Sequence, residues 1–331
     1  MKVLIVTGSY PPDICGVGDY IFQLDRAFKN SEFSSSVLKV RDWKLRNIFR
    51  IRREILLSGA EIIHIQYPTE GYGYSIVPQL LFMLLGKIKV VTLHEFSSKS
   101  LAGKLAIYIF FLFSSKLIFT TLEEYVYALK RAPFIKAKSQ VINIGSNISF
   151  ITSEGIKKYD VVYFGHIRPS KGLEKYIELV EKASLEGKHF KFLIIGQIVS
   201  GYESYFDEIK QLGKILNIDM RINIPSDIVA LLLSQSKFAY LPYPDGVTRR
   251  RGSFIATLGN GCNVITTKGR ATPIEFEELC LFAGDCNEAY SYLLKDSFDN
   301  LNQGAIERFI ECHSWVNIVN NHIKVYNSLA I

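Results

Sequence analysis

Three consecutive arginines, Arg249, Arg250 and Arg251, lie between a Pro244-Asp245-Gly246 turn and Gly252-Ser253. Guanidinium groups hold oxygen anions in bidentate pairs, and the free N–H groups at a helix start favour negative charge. The segment Tyr240-Leu-Pro-Tyr-Pro-Asp-Gly-Val-Thr-Arg-Arg-Arg-Gly-Ser-Phe254 reads as a strand, a charged turn and a helix start. This pattern predicts a phosphate or diphosphate seat made by Asp245, Arg250, Arg251, Gly252 and Ser253. A basic loop that is merely solvated is the plainer alternative.

A second cationic helix start lies in Tyr163-Phe-Gly-His-Ile-Arg-Pro-Ser-Lys-Gly172, where His166, Arg168 and Lys171 precede a long amphipathic stretch. Cations there oppose the helix dipole and cost stability unless an anion offsets them. A third loop, Pro11-Pro-Asp-Ile-Cys-Gly-Val-Gly-Asp-Tyr20, offers Gly16 and Gly18, where backbone can approach a ligand closely; a tight turn with no ligand is the alternative. In Val91-Thr-Leu-His-Glu-Phe96, His94 stands at a strand's carboxyl end, suited to hydrogen-bonding a polar substrate or to acid–base work. A satisfied structural histidine is the other reading of that position. His64 falls inside its strand and reads as structural.

Elements must position these groups. Val- and Ile-rich runs at residues 2–7, 35–40, 62–66, 88–93, 116–120 and 140–144 predict one series of strands. Runs at 160–165, 191–196, 220–224, 238–241, 263–267 and 280–282 predict another. Strands alternating with amphipathic stretches imply an α/β fold with two doubly wound parallel sheets. The polar, unpatterned residues 146–158 read as the hinge between them. Each candidate group falls where such sheets bind ligands, outside the carboxyl ends of the strands, facing a central cleft.

The 331 residues are 48% hydrophobic and 21% charged, which is globular composition. The net charge of +7 is unevenly placed. Residues 1–150 carry 19 Lys and Arg against 11 Asp and Glu, and residues 151–331 carry 20 against 21. The first half therefore suits an anionic partner such as a lipid phosphate or a membrane face. Without any nucleic-acid-binding signature, nucleic acid ranks last. The five cysteines show no metal-type spacing, no metal ligand set stands out, and the opening Met-Lys-Val-Leu-Ile-Val reads as a strand and not a signal peptide. A cytoplasmic location is expected, with peripheral contact at the inner face of a membrane. The apolar run 105–113 is too short to span a bilayer, and a buried core helix is its plainer reading.

Together these blocks resemble the GT-B glycosyltransferases, in particular the retaining family 4 group. The resemblance includes Leu193-Ile-Ile-Gly196, the strand after Gly261, and the ending His313-Ser-Trp-Val-Asn-Ile318 with Val325-Tyr-Asn-Ser-Leu329. It covers nearly the whole chain in order. It implies two Rossmann-like domains: residues 1–150 on the acceptor side, 151–312 binding the nucleotide-sugar donor, and 313–331 packing back on the first. It also implies a metal-independent sugar transfer with retention, in which nucleotide sugar is a substrate and no cofactor is needed. Gly16 would then lie against the donor phosphates, His94 against the transferred sugar, and Lys171 against the diphosphate. His166 replaces an arginine that many members carry, with Arg168 two residues later. A larger departure is that the two glutamates usual before Gly261 fall at Thr248 and Ala256.

Lys171, Arg250 and His94 are the expected catalytic contacts, stabilising a nucleoside diphosphate that departs by front-face displacement. The acceptor is expected to be a glycan or a lipid-linked, phosphate-bearing chain in surface polysaccharide assembly (O-antigen, capsule or lipopolysaccharide). The missing glutamates leave a second reading, a catalytically silent homologue that partners an active transferase. A nicotinamide enzyme ranks below both readings, since the third fingerprint glycine is absent and the second strand runs into Arg41 instead of an acid.

Overall fold

Short apolar runs, many rich in Val and Ile, form the strands, and successive side chains feed opposite faces of each sheet. A computed structural model describes residues 1–13, 15–31, 33–151, 157–295 and 301–329. The chain divides into two units, Met1–Gly145 with Cys312–Ile331, and Ser146–Glu311. The first unit thus ends at Gly145, where the sequence reading placed its end at residue 150.

The first unit contains β1 (Val3–Thr7), β2 (Ser35–Lys39), β3 (Ile62–Tyr67), β4 (Ile88–Leu93), β5 (Lys116–Phe119) and β6 (Ser139–Val141). They form one parallel sheet in the order β2-β1-β3-β4-β5-β6. Between them run α1 (Gly16–Asn30), α2 (Ile48–Leu57), α3 (Val77–Leu84), α4 (Leu101–Phe113) and α5 (Leu122–Leu129). In β1, Leu4 and Val6 join one core with Ile51, Leu81 and Phe110 of α2, α3 and α4. Val3 and Ile5 point the other way, into a core with Phe28 of α1. This period-2 alternation is what a sheet covered on both faces requires.

The second unit contains β7 (Tyr159–Ile167), β8 (Phe192–Ile198), β9 (Asp219–Ile222), β10 (Ser236–Leu241), β11 (Asn263–Thr266) and β12 (Leu281–Phe282). Their order is β12-β11-β10-β7-β8-β9, again all parallel. The helices here are α6 (Leu173–Leu185), α7 (Glu203–Ile215), α8 (Ser226–Ser234), α9 (Gly252–Gly259), α10 (Cys286–Leu294) and α11 (Gln303–Cys312). The last helix, α12 (Trp315–Asn327), belongs to the first unit. Its Ile318, Val319, Val325 and Tyr326 are buried with Ile5, Phe28, Ile62 and Val90. Each such side chain contributes about 1.5–3 kcal/mol on burial, so the helix is integral to that core.

Every apolar run expected to be a strand contains one, although β6 stops at Val141 and β9 at Ile222, short of the expected ends at 144 and 224. The helix expectation for residues 105–113 needs correction. Ile107, Phe110 and Phe111 of α4 are buried, but Leu105, Leu112 and Phe113 face outward. Among the described residues no helix is long and apolar enough to cross a membrane. Of the hinge at 146–158, residues 152–156 lie outside the described residues. The Ile151 amide donates to Asn260 Oδ1 at 2.9 Å, and a Cβ on Gly259 would come within 2.2 Å of the Phe150 ring. That part of the expected hinge is docked on the end of α9.

Candidate functional site

The candidate anion seat lies at the carboxyl edge of the second sheet. β7 and β10 are neighbours there, yet α6 carries the chain from β7 to β8 while α9 carries it from β10 to β11 on the other side. This reversal opens a crevice between two helix starts, where doubly wound sheets bind ligands. Gly172 makes the close approach possible. It caps α6 with φ of 83°, and a Cβ there would meet the Pro242 carbonyl oxygen at 2.0 Å. Only glycine fits such a left-handed, crowded position without strain. The Tyr163 hydroxyl donates to the Lys171 carbonyl at 3.2 Å and fixes the same loop from below.

The β10–α9 loop is held as firmly. Val247 N donates to the Thr267 carbonyl at 3.0 Å, and Thr272 Oγ1 donates to the Val247 carbonyl at 2.8 Å. Gly269 packs so tightly that a Cβ would sit 2.0 Å from the Asp245 carbonyl oxygen. From this frame the three arginines diverge. Arg249 pairs with Glu275 and lies 5.8 Å from the Phe276 ring. Arg250 is on the exposed side of the turn. Arg251 pairs with Asp245 and lies 4.6 Å over the Tyr243 ring, and its Nε is buried without a hydrogen-bond partner among the described residues. Among the described residues no side-chain cap hydrogen bond closes the N-terminus of α6 or α9.

Charges converge on Lys171. Burial, then the neighbouring guanidinium groups of Arg168 and Arg251, push its ammonium below the ordinary lysine value, and Asp245 acts in the opposite direction. Local desolvation, followed by Lys171 and Arg168, likewise holds the His166 imidazole below its usual range. Lys171, Arg168, His166, Arg251 and Asp245 therefore form one electrostatic cluster. Ser253 joins it through Tyr243, whose hydroxyl lies 2.7 Å from Ser253 Oγ. Gly252 is the exposed first residue of α9.

At the two positions where carboxylates are usual, Thr248 is half-buried and Ala256 is buried in α9. At 1% exposure Ala256 has no open space around it for a larger side chain.

In the first unit, Gly16 opens α1 and a Cβ there would meet nothing within 4 Å. Gly18 differs: it is buried, and a Cβ would come within 3.3 Å of the Ser9 carbonyl. Packing of α1 against the β1 loop accounts for that glycine without a ligand. His94 follows β4, buried, with Nε2 at 2.9 Å from Gln66 Oε1 and its ring edge-to-face with Tyr20. The loop after it is clamped by the buried carboxylate of Glu124, which accepts from the Phe96 and Ser97 amides at 2.8 and 2.9 Å. His64 is structural, with Nδ1 at 2.6 Å from the Tyr326 hydroxyl and Nε2 at 2.8 Å from Thr92 Oγ1.

Sequence reading did not single out Tyr243, Glu275, Gln66 or Glu124. Tyr243 lies inside the arginine motif and was legible there. The other three come from distant segments and carry no local signal.

The fold is that of the GT-B glycosyltransferases, two parallel α/β units. No family model matches the sequence and no curated protein sequence is significantly similar to it. The similar solved structures include HepE of Anabaena in complex with UDP, at a TM-score of 0.70 and 14% identity over 99% of this chain and 100% of that one. A glycosyltransferase from Rickettsia africae also superposes with a TM-score of 0.70 and 14% identity, over 99% and 98% of the two chains. The catalytic domain of starch synthase IV from Arabidopsis thaliana, bound to ADP and acarbose, gives 0.59 and 11% over 99% of each.

Proposed function

We propose that the protein is a glycosyltransferase that takes a sugar from a nucleoside diphosphate sugar, with the diphosphate seated between the starts of α6 and α9. The observation that carries this reading is the convergence of Lys171, Arg168 and Arg251 on two helix starts that lack a side-chain cap among the described residues. Without an anion these charges repel one another and oppose both dipoles; a diphosphate adds an attraction to each cation and to each helix start that offsets those costs. The shared fold supports it, since HepE holds UDP and starch synthase IV holds ADP.

In the reaction, the bond from the anomeric carbon to the β-phosphate oxygen breaks and the acceptor oxygen bonds to that carbon. The acceptor's proton passes to the departing phosphate oxygen, so no separate base is required. Lys171, Arg250 and Arg251 offset the charge that develops on the diphosphate, in place of a metal, and His94 contacts the transferred sugar. Retention follows from delivery on the face that the diphosphate leaves. The basic first half suits a lipid-linked, phosphate-bearing acceptor or a glycan, and hence surface polysaccharide assembly.

A thermal-shift series with nucleoside diphosphates and nucleotide sugars tests the seat. A ligand that binds only the native state raises its melting temperature. The expected result is a shift with one nucleoside diphosphate that Lys171→Ala removes; no shift with any of them counts against the reading. The buried Ala256 favours a second reading, a silent homologue that partners an active transferase. Donor hydrolysis without acceptor separates the two, since only an enzyme turns the donor over.

A further inference from the structure

The first unit carries an apolar face that its own core leaves uncovered. α4 reads LAGKLAIYIFFLF and is apolar around most of its circumference. Its inner face, Ile107, Phe110 and Phe111, is buried, while Leu101, Leu105 and Leu112 are 76%, 63% and 61% exposed. At 3.6 residues per turn these three leucines fall within about 40° of one another, a single outward stripe. That side of a surface helix is ordinarily polar.

Residues 131–138 extend the face. The Tyr108 hydroxyl donates to the Arg131 carbonyl at 3.2 Å, and Lys138 Nζ donates to the Leu112 and Ser114 carbonyls at 3.4 and 3.0 Å. The segment therefore runs along α4 and presents exposed Phe134 beside it. Cations rim the same surface. Lys104 and Arg131 lie 5.2 and 3.6 Å from the Tyr127 ring, and Lys130 and Lys136 are exposed. Residues 101–138 carry six Lys and Arg against two Glu, of which Glu124 is buried on the Phe96 and Ser97 amides.

We propose that this face of α4 docks on an anionic lipid bilayer, with the leucine stripe in the headgroup–acyl boundary and Lys104, Lys130, Arg131 and Lys136 against the headgroups. An apolar stripe with a basic rim is the arrangement that binds such an interface. A second copy of the chain would cover the leucines only by bringing like charges together. The inference does not depend on the donor seat, because lipid binding is read without turnover.

Flotation with vesicles of phosphatidylcholine, alone or mixed with phosphatidylglycerol, tests it. The protein is expected to float with the anionic vesicles, less so at high salt, and not with the zwitterionic ones. The exposed triple variant Leu101→Gln, Leu105→Gln, Leu112→Gln should keep its melting temperature and lose about tenfold or more in vesicle partition. Lys130→Glu with Lys136→Glu should also weaken flotation. No flotation with anionic vesicles at low salt, or equal flotation of the glutamine variant, overturns the proposal. So does a dimer seen by light scattering that the glutamine variant abolishes.

Discussion

Arg251 is paired with the carboxylate of Asp245 across the turn that joins β10 to α9. The pair keeps the guanidinium over the Tyr243 ring at the mouth of the crevice, with its Nε still lacking a hydrogen-bond partner among the described residues. In the proposed seat a diphosphate would compete with one carboxylate for a group already in place, so that little reorganisation would accompany binding. Preorganised charge of this kind is what stabilises a departing anion.

Removing such charge should cost rate and not fold. Lys171→Ala, Arg250→Ala and Arg251→Ala are each expected to lower sugar transfer about 10²–10³-fold. Melting temperatures should stay within a few degrees of wild type. Near-normal turnover in all three would remove the diphosphate seat from consideration.

The crevice depends on one backbone position. Gly172→Ala places a Cβ against the Pro242 carbonyl at a residue with positive φ. A cost of about 1–3 kcal/mol is expected from backbone strain alone. Chemical denaturation should show that loss, together with weaker nucleoside diphosphate binding than the stability change explains, because the Lys171 loop must shift.

Restoring a carboxylate at Ala256 should fail. The position is buried in α9, so Ala256→Glu overpacks the helix and strands an unpaired charge. A loss of about 3 kcal/mol or more is expected, with no gain in transfer. A stable variant with higher activity would mean that the helix can turn this position toward the donor.

Acid should destabilise the first unit through its histidines. Burial pushes His322 down to about 4 and His64 well below the ordinary value, so both stay neutral in the folded protein. As pH falls from about 6.5 toward 4 the unfolded chain gains protons that the folded one does not, and stability is lost across that window. Urea midpoints at pH 7 and pH 5 should differ, and His322→Phe should shrink the difference. An unchanged difference would place the acid sensitivity elsewhere.

Much of this was legible in residue types alone. The strands follow from short apolar runs, mostly rich in Val and Ile, and the positive charge of the loops from Lys171 and the three arginines. Which arginine does what was not legible. Arg249 is drawn to Glu275 and Arg251 to Asp245, and the Glu275 partnership is set by a segment with no signal near the motif. Gly18 offers either a ligand approach or a plain turn in sequence, and its closeness to the Ser9 carbonyl appears only in the fold. The Gln66 contact with His94 joins neighbouring strands, which no local pattern announces.

The arginine run, seen in sequence, is a cluster of charge after a strand. Sequence by itself determined that it would stand at a strand's carboxyl end before a helix, because hydrophobic period and turn residues act locally. Only the tertiary structure put it beside Lys171. Hydrogen bonding sets β10 next to β7 and sends their helices to opposite sides, an outcome of non-local pairing that no single segment encodes. The same holds for α4, whose apolar composition was plain but whose uncovered side appeared only once the rest of the first unit had packed against the other.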